Sequence, residues 1–141
     1  MIDSALVEKK LAFIETCLRE LNELVRIDRL DSDIREQRFV QHTLQMALQA
    51  ALDVSSHIVS VRRLGEPETN RELFGLLADD GWVSADLLPI LQSMAGLRNI
   101  FVHGYQRIDN AIVQDVVENR LSDLSRFAVE IRRRLAASQP A

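Results

Sequence analysis

The sequence is poor in the residues that build disulfide scaffolds, cysteine-based metal sites and loop-rich folds. Its 141 residues include one cysteine, five glycines and three prolines. A lone cysteine, Cys17, excludes an internal disulfide and a cysteine-based zinc site, and it fits a reducing compartment. Few glycines and prolines, together with many Leu, Ala, Arg, Glu and Val residues, favour a mostly helical protein.

Long apolar segments are also missing from the sequence. No run approaches the roughly 20 residues needed to cross a bilayer, and the N-terminus MIDSALVEKK is charged too early for a signal peptide. We therefore expect a cytoplasmic protein with no membrane contact. Glycine-rich phosphate loops, zinc-ligand spacings and Ser-His-Asp patterns are absent from the sequence as well, so we expect no cofactor and no metal.

Positive charge is scarce overall and uneven in kind. The net charge of -4 argues against a protein that coats nucleic acid through a generally basic surface, so any RNA contact should be local. Of the 17 cationic residues, 15 are arginines, and the planar guanidinium suits phosphate oxygens. A compositional habit of the source organism would explain the same excess.

Apolar residues recur every three or four positions along most of the chain, which is the period of the α-helix. The pattern predicts a first helix near residues 4–29 and a long second helix capped by Asp31 or Ser32. A short third helix should open at the capping-box sequence that begins with Thr69. A fourth helix leads into the segment analysed next, and Asp109 should cap a long fifth helix.

Long helices joined by short turns pack best antiparallel. We therefore predict an all-α, up-and-down antiparallel bundle of four main helices and one short helix. A chain of this length can bury one sizeable core but not two. The expected organisation is a single helical domain over residues 1–136, followed by a frayed C-terminal tail at residues 137–141.

The fourth predicted helix ends in a segment that gathers chemically active side chains, RNIFVHGY at residues 98–105. Arginine binds phosphate, and histidine transfers protons near neutral pH. Asn99 lies one helical turn before His103, and Tyr105, the only tyrosine, follows that histidine by two residues. An arginine five residues before a histidine is a weak signal in a chain so rich in arginine. The company of Asn99 and Tyr105 strengthens it.

Helical geometry places a constraint on this segment. At about 100° per residue, Arg98 and His103 are separated by roughly 140° around the helix axis. They do not face one point in a single copy, so a catalytic site requires two copies that complete each other's pair across a two-fold axis. The structural alternative is that Arg98 pairs with an acidic neighbour while His103 caps the last carbonyls of the helix.

The residue types match the requirements of RNA cleavage without a metal. Such cleavage needs a base for the ribose 2′-OH, an acid for the departing 5′-oxygen and a cation for the charge of the transition state. His103 can serve as base or acid, Arg98 can hold the phosphate, and Asn99 can orient the ring or the phosphate. The dipole at a helix C-terminus favours the cationic imidazole, which suits the acid better than the base.

A second polar pair, Asp53 and His57, lies on one face of the predicted second helix because its members are four residues apart. The pair is a candidate support for the cleft, with Asp53 orienting His57 or contacting Arg98. It is also explained as a hydrogen-bonded pair that serves packing. One Asp and one His are too few ligands for a metal site.

Two further features have both a functional and a structural explanation. Trp82 follows a glycine in a predicted turn, where it could anchor a partner or fill the core between the third and fourth helices. The run Arg132-Arg133-Arg134 could touch RNA or complement the dipole at the end of the last helix.

The run LRNIFVHGY resembles the Arg-x4-His-x-Tyr signature of HEPN-domain proteins, specifically the HepT toxins, which are encoded beside a minimal nucleotidyltransferase, the MNT antitoxin. The similarity extends to the helix order, the ALDVSSHIV segment and the acidic fifth helix, so it covers most of the chain. It implies a HEPN-like bundle that acts as a homodimeric, metal-independent ribonuclease. The resemblance makes Arg98 and His103 catalytic and Asn99 supporting, with Tyr105 the site at which the partner enzyme adds AMP.

These expectations combine into one functional hypothesis. The chain is predicted to be the endoribonuclease toxin of a toxin-antitoxin pair, cleaving mRNA or tRNA at a composite site on a homodimer interface. AMP addition to Tyr105 by the nucleotidyltransferase antitoxin would neutralise it. The rival hypothesis is a non-catalytic helical module that binds or regulates the nucleotidyltransferase.

Overall fold

The chain folds as a series of helices joined by short turns. The computed structural model describes residues 1–103 and 109–138, with the backbone alone at residues 102 and 103. Within these ranges there are helices and no strand, which confirms the predicted all-α class, and none of the helices has the length and apolarity needed to span a membrane. The α-helices are α1 (Ser4–Leu24), α2 (Ile34–Val61), α3 (Asn70–Asp79), α4 (Leu88–His103), α5 (Asn110–Asn119) and α6 (Leu121–Ser138).

Several helices begin at side chains that accept the free backbone N–H groups of a first turn. Thr69 accepts a hydrogen bond from the amide three residues later at 3.1 Å, and Asp109 accepts one from the amide two residues later at 2.9 Å, as predicted. The predicted cap of the second helix was wrong. Asp33, rather than Asp31 or Ser32, caps α2, because a 3₁₀ turn and the bend after it occupy the preceding residues.

The predicted fifth helix is two helices. Arg120 ends α5, its amide donating to Val116 O at 2.9 Å, and α6 begins at the next residue. Buried Val113, Val117 and Leu121 continue one apolar stripe through the break, so periodicity alone cannot reveal it. Within the described ranges the bundle therefore has four main helices and two short ones, rather than one short one.

The predicted helix ends also differ at both ends of the chain. The first helix was expected to reach residue 29, but α1 ends at Leu24 and Val25 adopts an extended backbone. At the other end α6 continues to Ser138, two residues beyond the predicted domain end. The remainder of the predicted tail, residues 139–141, lies outside the described residues.

Helix α2 is central to the packing, because it lies against α1, α3, α4 and α5. It runs antiparallel to α1, since the amide of Asp3 donates to His57 while the amide of Arg26 donates to Glu36. A single cluster of buried apolar side chains fills the interior. This packing brings the second half of α4 against the middle of α2, where the candidate site lies.

Trp82 fills the core between α3 and α4, as the structural explanation predicted. Only 1% of its surface is exposed. Its indole N–H donates to Asp80 Oδ2 at 2.9 Å, and the guanidinium of Arg134 lies 4.9 Å from the ring centroid. The indole is therefore buried and its polar atom satisfied, which leaves it no surface for anchoring a partner.

Candidate active site on helices α2 and α4

Arg98 is held by a side chain of another helix. It lies on α4 and is partly buried. Its Nε and Nη2 both donate to Gln49 Oε1 on α2, at 3.1 Å and 2.7 Å, and its Nη1 lies 3.5 Å from Asn99 Oδ1. The guanidinium is thus fixed in direction by a neutral amide oxygen.

The side-chain amide of Gln49 is in turn held by a carboxylate of its own helix. Its Nε2 donates to Asp53 Oδ1 at 2.9 Å, and Asp53 Oδ2 accepts from Lys10 Nζ of α1 at 3.1 Å. Asp53 is therefore connected to Arg98 through one intervening amide. The direct contact between Asp53 and Arg98 that the sequence raised is not present among the described residues.

His57 occupies the same row of α2 but makes a different contact. Its Nε2 accepts a hydrogen bond from the backbone N–H of Asp3 at 3.0 Å. Among the described residues, His57 and Asp53 do not hydrogen-bond to each other. His57 instead connects α2 to the residue that caps α1, and its part in the cleft stays a prediction.

The other end of the predicted motif is described only in part. Helix α4 continues to His103, so Arg98 and His103 lie on one uninterrupted helix, about 140° apart around its axis. Asn99 is exposed beside Arg98. The side chain of His103, together with Gly104 and the predicted modification site Tyr105, lies outside the described residues.

No carboxylate neutralises the charge of Arg98 in the part of the chain that the structure describes. Within residues 1–103 and 109–138, no carboxylate lies within 4.0 Å of Arg98, so the acidic partner of the structural alternative is not found there. By contrast, several other arginines have such a partner: Arg62, Arg120, Arg126, Arg132 and Arg134. The positive charge of Arg98 is therefore left for a ligand.

The arginine run of α6 is largely used inside the bundle. Arg132 pairs with Glu8 and Glu15 of α1, and Arg134 lies over Trp82. The hydrogen bond that Arg132 donates to Glu15 raises the pKa of Arg132 above its ordinary value. Arg132 and Arg134 therefore stabilise helix packing. This supports the structural explanation of the run for two of its three arginines, rather than contact with RNA.

An apolar groove runs between α4 and α5. It has a volume of about 330 Å³, and Pro89, Met94, Leu97 and Val116 are among the residues that line it. Two exposed isoleucines continue apolar surface on the same helices: Ile100 is 46% exposed and Ile112 is 47% exposed. The region next to the candidate site therefore offers apolar area to another molecule.

Two alternative chemistries find no support in the described residues. Burial raises the pKa of the Cys17 thiol to about 11, and the side chain is enclosed in the core, so the thiol is not a reactive nucleophile. In this part of the chain, no group of three or more His, Cys, Asp or Glu side chains is arranged to hold a metal ion.

Gln49 is the residue that the sequence did not reveal. It lies four residues before Asp53, which lies four residues before His57, so the three form one row along α2. Extending the Asp53–His57 spacing back by one turn would have found it. No sequence signal showed that this row faces Arg98, because that depends on how α4 packs on α2.

Fold and site together define a class, a small helical bundle in which a helix ending in histidine carries an arginine with no carboxylate partner among the described residues. Residues 14–131 match the family of HepT-like ribonucleases, and the chain belongs to that family. The family predicted from the LRNIFVHGY run is thereby confirmed.

The similarity to known proteins covers most of the chain. It is 32% identical over 123 residues to the mRNA nuclease HepT of Shewanella oneidensis, covering 86% of this chain and 92% of that protein. It is also 32% identical over 110 residues to the tRNA nuclease HepT of Aphanizomenon flos-aquae, covering 77% and 75%. The solved tri-AMPylated Shewanella oneidensis HEPN toxin, in complex with MNT antitoxin, matches with a TM-score of 0.85 at 32% identity, covering 94% of this chain and 99% of that one. The predicted HEPN-like fold is thereby confirmed.

Proposed function

We propose that this protein is the metal-independent endoribonuclease toxin of a toxin-antitoxin pair, acting in the cytoplasm on mRNA or tRNA. The observation that carries the proposal is the state of Arg98, an arginine whose direction is fixed by Gln49 and whose charge has no carboxylate partner among the described residues. A guanidinium in that state is suited to a phosphate. Membership of the HepT-like ribonuclease family supports RNA as the source of that phosphate.

The reaction follows from the roles of Arg98 and His103. A base removes the proton of the ribose 2′-OH, the 2′-oxygen attacks the phosphorus, and the bond to the 5′-oxygen breaks as an acid protonates that oxygen. The products are a 2′,3′-cyclic phosphate and a 5′-hydroxyl. Arg98 stabilises the charge on the phosphoryl oxygens, His103 transfers the proton, and Asn99 orients the ring or the phosphate.

The active form is a homodimer. Because Arg98 and His103 are about 140° apart on α4, one copy does not present both to a single phosphate. Two copies related by a two-fold axis can each contribute to a composite cleft. Exposed Ile100, which lies between the supporting Asn99 and buried Phe101, adds apolar area on the same helix for such an interface.

Neutralisation takes place at Tyr105, through transfer of AMP by a partner nucleotidyltransferase of the MNT type. The tyrosine follows His103 by two residues. Adding AMP there places bulk and a phosphodiester anion next to the proton-transfer group, which blocks the cleft and repels an RNA phosphate. The solved relative, a tri-AMPylated HEPN toxin in complex with MNT antitoxin, supports AMP addition and a partner of this type.

The test is RNA cleavage by the purified chain in excess chelator. We expect wild type to cleave and to leave cyclic phosphate ends, with activity lost in Arg98→Ala and in His103→Ala. Expression without the nucleotidyltransferase should arrest growth, and either substitution should relieve the arrest. Absence of cleavage by wild type, combined with harmless expression, would overturn the proposal and favour the non-catalytic interaction module.

A further inference from the structure

The position of the Arg98 side chain depends on a contact with another helix. An arginine has several rotatable bonds, and a free guanidinium samples many directions before it meets a phosphate. Two of its nitrogens, Nε and Nη2, converge on the single oxygen Gln49 Oε1. This shared acceptor fixes the direction of that edge of the guanidinium before any ligand arrives.

The acceptor fixes the guanidinium without cancelling its charge. Gln49 is neutral, and the one carboxylate behind it, Asp53, is paired with Lys10. A carboxylate in place of the amide would occupy the same donors and compete with an incoming phosphate for the charge. Arg132, which two glutamates hold, shows that outcome elsewhere in this chain.

The orientation of the Gln49 amide is set by its second partner. The Asp53 carboxylate can only accept hydrogen bonds, so it selects the NH₂ end of the amide and turns the oxygen towards Arg98. The ammonium of Lys10 holds the far oxygen of that carboxylate at 3.1 Å. Without Asp53, the amide could turn over and present its own N–H groups to the guanidinium.

The contact leaves part of the guanidinium free for a ligand. Of roughly five N–H groups on an arginine, Gln49 engages one on Nε and one on Nη2, and Asn99 lies 3.5 Å from Nη1. The edge formed by Nη1 and Nη2 keeps donors that can meet two phosphate oxygens.

We propose that Gln49 is a positioning residue that fixes Arg98 for phosphate binding while leaving its charge intact, and that Asp53 and Lys10 fix the orientation of the Gln49 amide. The inference rests on the function proposed above. It assigns a functional role to the middle of α2, although Arg98, Asn99 and His103 all lie on α4.

The experiment compares two substitutions of Gln49 that separate position from charge. Gln49→Met keeps similar volume and removes the strong acceptor, while Gln49→Glu keeps the acceptor and adds a negative charge. The full-length proteins are assayed for steady-state cleavage of single-stranded RNA. Gln49→Met should lower kcat about 10- to 100-fold, because a displaced catalytic group reacts slowly. Gln49→Glu should mainly raise KM, because the charge of Arg98 is partly cancelled.

A matched control is available on α5. Gln114 Nε2 donates to Glu118 Oε1 at 2.9 Å, which reproduces the amide–carboxylate spacing of Gln49 and Asp53 away from Arg98. Gln114→Ala should leave both kinetic constants unchanged. Asp53→Asn provides a second variant should Gln49→Met fold poorly, and we expect it to lower kcat several-fold with little effect on the melting temperature.

Binding provides a readout that a purely structural role would not change. Fully 2′-O-methylated RNA lacks the attacking hydroxyl, so its affinity reports binding without cleavage. Gln49→Glu should weaken this binding and reduce its salt dependence by about one phosphate contact per site. In an Arg98→Ala background the same substitution should have no further effect, because the group through which it acts is gone.

The outcomes distinguish this inference from the function on which it rests. If wild type cleaves RNA and Arg98→Ala does not, but folded Gln49→Met and Asp53→Asn behave like Gln114→Ala, then Gln49 does not position Arg98 and the inference is overturned. If Gln49→Glu weakens binding of the 2′-O-methylated RNA equally with and without Arg98, the inference is also overturned. If wild type itself does not cleave, the proposed function fails and the inference falls with it.

Discussion

Arg98 and Arg132 are both held by side chains of another helix, but their partners carry different charges. Arg132 donates from Nη1 and Nη2 to the Glu15 carboxylate at 2.8 Å and 2.7 Å, and from Nε to Glu8 at 3.0 Å. Arg98 donates to the neutral amide of Gln49. Both contacts fix a guanidinium, but only the contact of Arg132 with the two glutamates neutralises its charge.

This difference separates arginines that hold the bundle together from an arginine whose charge remains for a ligand. Arg132 joins α6 to α1, and Arg126 joins α6 to the turn before α4 through Ser84 and Asp86. Several cations of the described ranges have a carboxylate within 4.0 Å, and others have none. Arg98 is the candidate phosphate-binding residue because a neutral side-chain amide of another helix holds it while no carboxylate of the described ranges pairs with it.

The largest effect should come from Arg98→Ala. We expect RNA cleavage to fall about 10²- to 10³-fold, because a cation that stabilises the transition state is lost. The free energy of unfolding should change little, because no ion pair is broken. Comparing kcat/KM with urea denaturation of the same preparation checks both parts. A stability loss without a cleavage loss would place Arg98 among the structural arginines.

Arg132→Ala should give the opposite result. Its partners Glu8 and Glu15 are 49% and 41% exposed, so the pairs are screened by solvent and each contributes modestly. We expect the free energy of unfolding to fall by about 1 kcal/mol, with cleavage per folded molecule unchanged. The neighbouring exposed Arg133, substituted by Ala, is the matched control and should be close to wild type by urea denaturation.

The sequence predicted the features that depend on local chemistry. Helical periodicity and capping side chains located most helices, and the cap at Thr69 was placed at the right residue because capping is a contact between near neighbours. The same reasoning failed at Arg120, where a helix ends inside a continuous apolar stripe. An apolar stripe shows which face of a helix is buried, but it does not show whether the helix continues without interruption.

The candidate site was predictable only on α4. Arg98, Asn99 and His103 lie within one helix, so their spacing is visible in the sequence. The contact of Arg98 with Gln49 spans 49 positions of sequence. It depends on the packing of α4 against α2, which no local pattern encodes. Asp53 was singled out for the right face of α2, but its link to Arg98 through an amide was not foreseeable.

Acid should weaken the bundle through the carboxylates that hold arginines. The hydrogen bond from Arg132 lowers the pKa of Glu15 below its ordinary value of 4.5. A lowered folded-state pKa contributes stability that is complete above pH 4.5 and is lost as pH falls through the folded value. After allowance for exposure, we expect this group to contribute about 0.5 kcal/mol. Urea denaturation between pH 6 and pH 3 should show the loss, and Arg132→Ala should flatten that part of the profile.

The smallest expected effect is that of substituting His57, and it distinguishes the role of His57 from that of Asp53 on α2. His57→Ala removes the acceptor of the exposed Asp3 amide, which water can replace, so we expect about 0.5 kcal/mol of destabilisation. Cleavage should be unchanged, whereas Asp53→Asn should lower it, because Asp53 orients the amide that holds Arg98. His57→Gln, which keeps an acceptor, should recover part of the stability in thermal denaturation. A cleavage defect in folded His57→Ala would extend the support of the cleft one turn further along α2, as the sequence pairing of Asp53 with His57 proposed.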